Sequence, residues 1–298
     1  MRGVVSAGML TALEYLGLLP TFDVIYGTSA GAINGAFFIA GQAAYGTTIY
    51  YENINNSSFI DLSRLLRGKA VVSLEFLFDE VMVKEKILDW QKVVESDIEL
   101  VPVATSVTRA APVLLRGLRS RDELFLRLKA SARIPFFAGP PIRIGDEVFV
   151  DGGLFASIPH RQAAEEGCTH ILALLTRPSG AVPNHAGFLD KHIFPAKLAQ
   201  YNPALRQVIS ERMQHYASDV KWLAQQTSSR QSRPYILAVQ PSFDAKPVAR
   251  LEKRRKFLIA GAKSGLEAIM SLFAQPGISS TEVIYPYRAS GQVVTGPD

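Results

Sequence analysis

Apolar runs alternate with short polar or glycine-containing breaks along the first sixty residues. Apolar positions recur at helical spacing from Val5 to Leu16, which predicts an N-terminal helix. The apolar run at 22–26 predicts a buried strand, and it leads directly into Gly27-Thr28-Ser29-Ala30-Gly31. A second apolar helix is predicted over 32–40. The pentapeptide is therefore expected at a sharp turn between a strand and a helix.

The rest of the chain continues this alternation of strand-like and helix-like segments. Strands are predicted at 98–103, 113–115, 142–144, 147–150, 171–175 and 235–239, and helices at 122–132, 205–223 and 258–273. Such alternation favours an α/β fold in which helices cover both faces of a mainly parallel sheet. We therefore predict one three-layer α/β/α domain over residues 1–298.

Composition narrows the class of protein. Of the 298 residues, 48% are hydrophobic and 20% are charged, which is typical of a globular chain rather than a disordered one. The net charge of +5 is scattered, so we predict no nucleic-acid partner. No apolar run is long enough for a membrane span and no secretory signal is evident, so a cytoplasmic location is expected. No pattern suggests a metal site or a cofactor.

The Gly-x-Ser-x-Gly segment carries the strongest chemical signal. A nucleophilic serine needs a sharp, strained turn that projects its hydroxyl from the sheet, and we expect Gly27 and Gly31 to remove side chains that would collide there. The helix that follows Ser29 would direct free N–H groups and its positive end toward the hydroxyl. This arrangement predicts a serine that forms a covalent intermediate.

A serine hydroxyl needs a base, and the sequence offers two kinds of candidate. None of the five histidines stands in a recognisable catalytic context: they are His160, His170, His185, His192 and His215. Asp151 follows the strand-like Val148-Phe149-Val150 and precedes Gly152 and Gly153, at the end of a strand where α/β folds usually place their sites. Taken alone, an Asp-Gly turn explains this segment equally well.

Taken together, five segments resemble the patatin-like phospholipases of bacteria. Gly27-Thr28-Ser29-Ala30-Gly31 and Asp151-Gly152-Gly153 are similar to the two halves of that family's Ser–Asp dyad. Residues 2–8 (Arg-Gly-Val-Val-Ser-Ala-Gly) resemble the end of its Gly-rich loop, and residues 129–135 (Lys-Ala-Ser-Ala-Arg-Ile-Pro) resemble the segment before the Asp. Ser157-Ile158-Pro159 is similar to the helix start that follows it. The resemblance covers most of 2–175, and the part from 176 to 298 matches only loosely.

The resemblance implies a lipid acyl hydrolase. Ser29 would attack the ester carbonyl of a phospholipid or another acyl-ester lipid, and Asp151 would accept its proton without a histidine. Amides near Gly3 and the N–H of Ala30 would form the oxyanion hole, with Arg2 helping to position the loop. Apolar residues of the elbow helix and of 59–80 would line the acyl pocket. Contact with a membrane surface would be transient, and no oligomeric state is predicted.

The resemblance is incomplete at the N-terminus. The family's loop reads Gly-Gly-Gly-x-Arg-Gly, so Met1 stands at the x position and the preceding glycines and strand are absent. Losing one oxyanion donor typically lowers the rate about 100- to 1000-fold. We therefore expect the true start to lie upstream, and low activity if it does not.

Two alternatives stay open. A conventional α/β-hydrolase with a Ser–Asp–His triad is compatible with the residue order, although too few strands precede Ser29. A catalytically weak lipid-binding or regulatory protein of the same fold is the other. The basic segment from Arg250 to Lys256 is interpreted as a solvated helix face.

Overall fold

The computed structural model describes residues 1–135, 137–181, 196, 198–229 and 233–273. The described α-helices are α1 (Val4–Tyr15), α2 (Ala30–Ile39), α3 (Ala43–Glu52), α4 (Trp90–Val94), α5 (Arg121–Ala132), α6 (His160–Glu165), α7 (Ala204–Ser228) and α8 (Arg255–Met270). The strands are β1 (Val24–Thr28), β2 (Glu99–Ser106), β3 (Ala111–Leu114), β4 (Ile142–Ile144), β5 (Glu147–Asp151), β6 (His170–Leu174) and β7 (Tyr235–Val239).

Strand β2 organises the larger sheet. It pairs in parallel with β1, from Val24 opposite Glu99 to Thr28 opposite Val103. It pairs antiparallel with β3 and β5, and β4 extends the sheet beyond β5. The second parallel pair, β6 with β7, forms a separate two-stranded sheet. The predicted α/β fold is confirmed, with the parallel pairs at β1–β2 and β6–β7.

Helices cover both faces of the larger sheet. Successive residues of a strand point to opposite faces, and β5 shows this directly. Phe149 packs in a cluster with Ala130 of α5, whereas Val150 packs in another with Leu205 and Ile209 of α7. Helices α5 and α7 therefore lie on opposite sides of β5, which gives three layers.

Helices α1 and α8 cross at very short range. A Cβ atom on Gly8 would collide with the backbone of Ala262, and one on Gly265 would collide with the backbone of Val5. The flanking residues, including Val4, Met9 and Leu266, belong to the largest hydrophobic core. The crossing joins the helix that follows Gly3 to the last described helix of the chain.

The sequence did not predict α3. Its residues, from Ala43 to Glu52, include Gly46 and a β-branched pair at Thr47 and Thr48, which lower intrinsic helix propensity. Burial compensates, because Tyr51 is almost fully buried in the core and Phe37 packs where a Gly46 side chain would stand. Tertiary packing therefore decides this helix.

A helix that spans a membrane needs about 20 predominantly apolar residues, and the described helices differ from that pattern. None of those helices has both the length and the sustained apolar character needed to cross a bilayer.

Candidate active site

Ser29 stands on the turn between β1 and α2. Its backbone angles, φ 55° and ψ −123°, lie in a region that residues with a side chain rarely adopt. Such a conformation costs about 1–3 kcal/mol and persists only where the surroundings enforce it. The Ser29 N–H donates to Ser131 Oγ at 2.9 Å, and the Ser131 hydroxyl donates to the Val103 carbonyl at 2.6 Å. Ser131 therefore ties the turn to the neighbouring strand.

The two glycines of the turn have different surroundings. A Cβ atom on Gly27 would collide with the backbone of Ala32, as the sequence analysis expected. The same expectation is wrong for Gly31, because a Cβ atom there would meet no atom within 4 Å. Gly31 lies beside the cavity described below, so its missing side chain leaves open space there.

Asp151 ends β5 and is held by its main chain. Its N–H donates to the Arg133 carbonyl at 2.9 Å, and its carbonyl accepts from Thr105 Oγ1 at 3.0 Å. Its Oδ1 accepts from the Gly153 N–H at 2.8 Å, an approach that a Gly153 side chain would obstruct. Gly152 packs against the carbonyl of Val103, so both glycines serve close contacts.

The register of β2 brings Ser29 and Asp151 together. Thr28, which precedes the serine, is opposite Val103, and Asp151 is opposite the next residue, Ala104. The serine turn and the carboxylate therefore flank one point of β2, and both line the same cavity.

The carboxylate is buried, with 8% of Asp151 exposed. Burial raises the pKa of Asp151 above its ordinary value, while the Ser29 side chain, the Gly153 N–H and the charges of Arg212 and Arg250 oppose that rise in part. Oδ2 has no hydrogen-bond partner of regular geometry among the described residues. The Ser29 side chain lies close enough to lower the pKa of Asp151, although its hydroxyl makes no hydrogen bond of regular geometry to Oδ2.

The described histidines make other contacts. His160 Nδ1 lies 2.9 Å from the Ile158 carbonyl, and its ring stacks on Trp222 with the centroids 5.1 Å apart. His170 contacts Thr169 and Tyr235, and His215 pairs with Glu211. None of these contacts of the three histidines involves Ser29. His185 and His192 lie outside the described residues.

Gly3 contacts the turn directly. A Cβ atom on Gly3 would overlap the Ala30 side chain and the Tyr50 hydroxyl, so only glycine fits at this point. Helix α2 begins at Ala30 and has no side-chain cap, and its first N–H groups have no acceptors within the helix. The amides of Gly3 and Ala30 thus lie on neighbouring segments beside Ser29.

A buried polar network holds Gly3, and its central residue, Asn34, was not predicted from the sequence. Asn34 Nδ2 donates to the Gly3 carbonyl at 2.9 Å and to Ser6 Oγ at 3.1 Å. Asn34 Oδ1 accepts from the Tyr50 hydroxyl at 3.0 Å, and Ser6 Oγ also donates to the Gly3 carbonyl. An asparagine on an otherwise apolar helix, one turn after the serine, is the sequence signal that points to this network.

Ser29 and Asp151 open into a cavity of about 1250 Å³. Its apolar wall comes from α1, β1 and β6, with Leu10, Ile25 and Leu172 as examples. The expectation that 59–80 would line the pocket is wrong for this cavity, whose wall comes from other segments. Within the described residues β1 pairs only with β2 and β6 only with β7, so the other edge of each strand is left unpaired there.

Arg2 also lines this cavity, in an unusually positive environment. Burial and the neighbouring charges of Arg177, Arg250 and Arg212 lower the pKa of Arg2 to about 10. The described residues contain no group of three or more His, Cys, Asp or Glu side chains that could hold a metal ion.

Two comparisons place this geometry among known proteins. A family model described as "Patatin-like phospholipase" matches residues 1–164, more than half of the chain. An Escherichia coli (strain K12) protein, "Uncharacterized protein YjjU", is 27% identical over 180 residues, which cover 60% of this chain and 50% of that protein. The chain thus spans about half the length of this curated relative.

Proposed function

We propose that this chain, which belongs to the patatin-like phospholipase family, is a serine hydrolase that cleaves acyl esters of lipids through a Ser29–Asp151 dyad. The observation that carries the proposal is the position of Asp151. Its carboxylate is buried beside the side chain of Ser29, and Ser29 stands on a strained turn. No described histidine occupies that place.

The reaction would proceed in two displacement steps. Ser29 Oγ attacks the ester carbonyl carbon while Asp151 accepts the hydroxyl proton, and the tetrahedral intermediate collapses as the leaving alcohol takes that proton. Water then attacks the acyl-enzyme and loses a proton to Asp151. The second tetrahedral intermediate collapses and releases the fatty acid, while Ser29 Oγ takes the proton from Asp151. Asp151 is therefore ionised again at the end of the cycle.

Burial suits Asp151 to act as the base. A carboxylate with an ordinary pKa is a weak base near neutral pH, and a raised pKa increases its affinity for the serine proton. Burial raises the pKa of Asp151, while Arg212 and Arg250 favour its ionised form. The carboxylate is therefore a stronger base than an exposed one.

The oxyanion would lie near the start of α2. The Ala30 N–H and the positive end of α2 are on one side of Ser29, and the Gly3 segment is on the other. Donors aimed at a developing negative charge usually contribute the largest part of such catalysis.

Hydrolysis of a short-chain nitrophenyl ester tests the dyad. Ser29→Ala should lower kcat/KM about 10⁴- to 10⁶-fold, and Asp151→Asn about 10²- to 10⁴-fold. Ser210→Ala and Asp122→Asn, which change exposed residues on α7 and α5, are the matched controls and should retain activity. Hydrolysis that survives in Ser29→Ala would contradict the proposal.

Single replacement of each of the five histidines by glutamine separates the dyad from a Ser–Asp–His triad. The dyad predicts that each folded variant keeps activity within about tenfold of the parent, since a catalytic base contributes about 10²- to 10⁴-fold. A loss of that larger size in any one variant would favour the triad.

We further propose a cytoplasmic location with transient contact to lipid surfaces. Leu62, Leu65 and Leu66 are exposed on one short helical segment, and Leu66 is 91% exposed. Arg64 and Arg67 lie in the same segment, a combination that suits an anionic lipid surface. Leu66→Ser should weaken cosedimentation with anionic vesicles, and unchanged binding would refute this contact.

A further inference from the structure

The C-terminal end of α5 contacts the main chain of both residues of the proposed dyad. The Ser29 N–H donates to Ser131 Oγ at 2.9 Å, and the Asp151 N–H donates to the Arg133 carbonyl at 2.9 Å. These two acceptors are two residues apart at one helix end, whereas Ser29 follows β1 and Asp151 ends β5. One short segment therefore holds two residues that are distant in the sequence.

Ser131 is fully buried and uses its hydroxyl as both acceptor and donor. It accepts from the Ser29 N–H and donates to the Val103 carbonyl at 2.6 Å. The same carbonyl packs against Gly152, the residue that follows Asp151. Ser131 thus joins the serine turn to the point of β2 that also contacts the Asp151 segment.

The Arg133 side chain fixes the end of α5. Its guanidinium is buried and donates to the Ala138 carbonyl and to Glu75 Oε1, the latter at 2.9 Å. A Cβ atom on Gly139, which has φ 109°, would collide with that guanidinium. The end of α5 is thus anchored by contacts outside the dyad, so it can serve as a common support for both residues.

The serine turn depends on such a support. Ser29 has a positive φ that residues with a side chain rarely adopt, and this conformation persists only where the surroundings enforce it. Without Ser131 Oγ, the part-buried Ser29 N–H would lose its acceptor, which favours relaxation of the turn. A relaxed turn would move the Ser29 hydroxyl relative to the Asp151 carboxylate.

From these contacts we propose that Ser131 is a positioning residue for the reaction, which sets the separation of the Ser29 hydroxyl and the Asp151 carboxylate from the end of α5. Ser131 is not among the described residues that line the cavity, so it acts through Ser29 rather than on the substrate. The inference rests on the proposed function and adds a residue outside the dyad on which proton transfer depends.

Kinetics of Ser131→Ala on a short-chain nitrophenyl ester test the proposal. We expect kcat to fall about tenfold with little change in KM, because a misplacement of 1 Å lowers a rate up to about 100-fold without removing a substrate contact. Unchanged kcat, or a rise in KM alone, would overturn the positioning role and leave the dyad intact. Hydrolysis that persists in Ser29→Ala would instead overturn the proposed function.

The pH profile of the same variant is a second readout. Burial raises the pKa of Asp151, and the Ser29 side chain, the Gly153 N–H, Arg212 and Arg250 oppose that rise. The variant changes only the position of Ser29 among these groups, so the acidic limb of kcat should move to higher pH. A limb that coincides with that of the parent would contradict a displaced hydroxyl.

Thr11→Val is the matched control because it removes another buried helix hydroxyl. Thr11 Oγ1 lies 2.9 Å from both the Ala7 carbonyl and Thr47 Oγ1, and it does not line the cavity. This variant should leave kcat and the acidic limb unchanged. Equal changes in Thr11→Val and Ser131→Ala would show that loss of any buried hydroxyl has the same effect, and would overturn the positioning role.

Amide hydrogen exchange followed by NMR needs no turnover. The Ser29 N–H should exchange about tenfold faster in Ser131→Ala, whereas the Asp151 N–H, whose acceptor is the Arg133 carbonyl, should keep its parent rate. If Ser131→Ala does not fold, Ser131→Cys makes the same test, because a thiol of similar size is a weaker acceptor. Unchanged exchange at Ser29 in the folded variant would overturn the proposal.

Discussion

The N-terminal and C-terminal parts of this chain contribute to the cavity in different ways. Residues 1–164 carry Ser29 and Asp151 on short, glycine-containing segments that the family model covers. Four arginines belong to the described lining of the cavity, and three of them, Arg177, Arg212 and Arg250, come from beyond that region. Reaction chemistry requires a fixed local geometry, whereas a cavity wall requires only that several side chains converge. The two parts should therefore respond differently to substitution.

The largest expected effect lies in the N-terminal part, at a residue outside the dyad. Asn34→Ala should lower kcat about 10- to 100-fold with little change in KM, because Asn34 holds Gly3 beside the place proposed for the oxyanion. Tyr50→Phe, which removes only the bond to Asn34 Oδ1, should have a smaller effect. A rise in KM at constant kcat would assign Asn34 to substrate binding instead.

The next effect concerns the crossing of α1 and α8, which joins the two parts. Gly8→Ala forces a methyl group against the backbone of Ala262 and should reduce the free energy of unfolding by about 1–3 kcal/mol. Glu267→Ala, an exposed change on the same C-terminal helix, is the control. Thermal denaturation measures both, and equal stability of the two variants would show that the crossing tolerates expansion.

The third effect is a pH dependence that belongs to the N-terminal part. Because burial raises the pKa of Asp151, activity should fall on the acidic side at a pH above the ordinary carboxyl range. The raised pKa also means that ionised Asp151 destabilises the folded chain. The contribution of Asp151 to the free energy of unfolding therefore falls as pH rises from the ordinary carboxyl pKa through the raised one. Asp151→Asn should therefore raise the melting temperature at neutral pH, and by less at acidic pH. No rise at neutral pH would argue against that burial effect.

The smallest effect would connect the two parts. Arg212 and Arg250 lower the pKa of Asp151, opposing burial together with the Ser29 side chain and the Gly153 N–H. Arg250→Gln removes one of these charges, so the acidic limb of kcat should move to higher pH than in the parent protein. Coincident limbs would show that Arg250 and the base are electrostatically separate when substrate is bound.

The sequence predicted the serine turn and the strand before Asp151 because each is encoded by consecutive residues. It did not predict Ser131 as the acceptor for the Ser29 N–H, since that contact joins positions on different elements. The proximity of Arg2, Arg177, Arg212 and Arg250 was missed for the same reason. Arg250, interpreted from the sequence as part of a solvated helix face, is exposed but precedes α8. Helix α3 was missed because tertiary burial overrides its composition.

The glycine-lined crossing of α1 and α8 also bears on where this protein can be cut. Residues 1–164 match the family model, but α8 lies outside that match and covers the buried face of α1. A recombinant fragment that ended at 164 would present Val4, Val5 and Met9 to water and would be prone to aggregate. We therefore propose that the chain folds as one domain and that a homology boundary is the wrong place to truncate it.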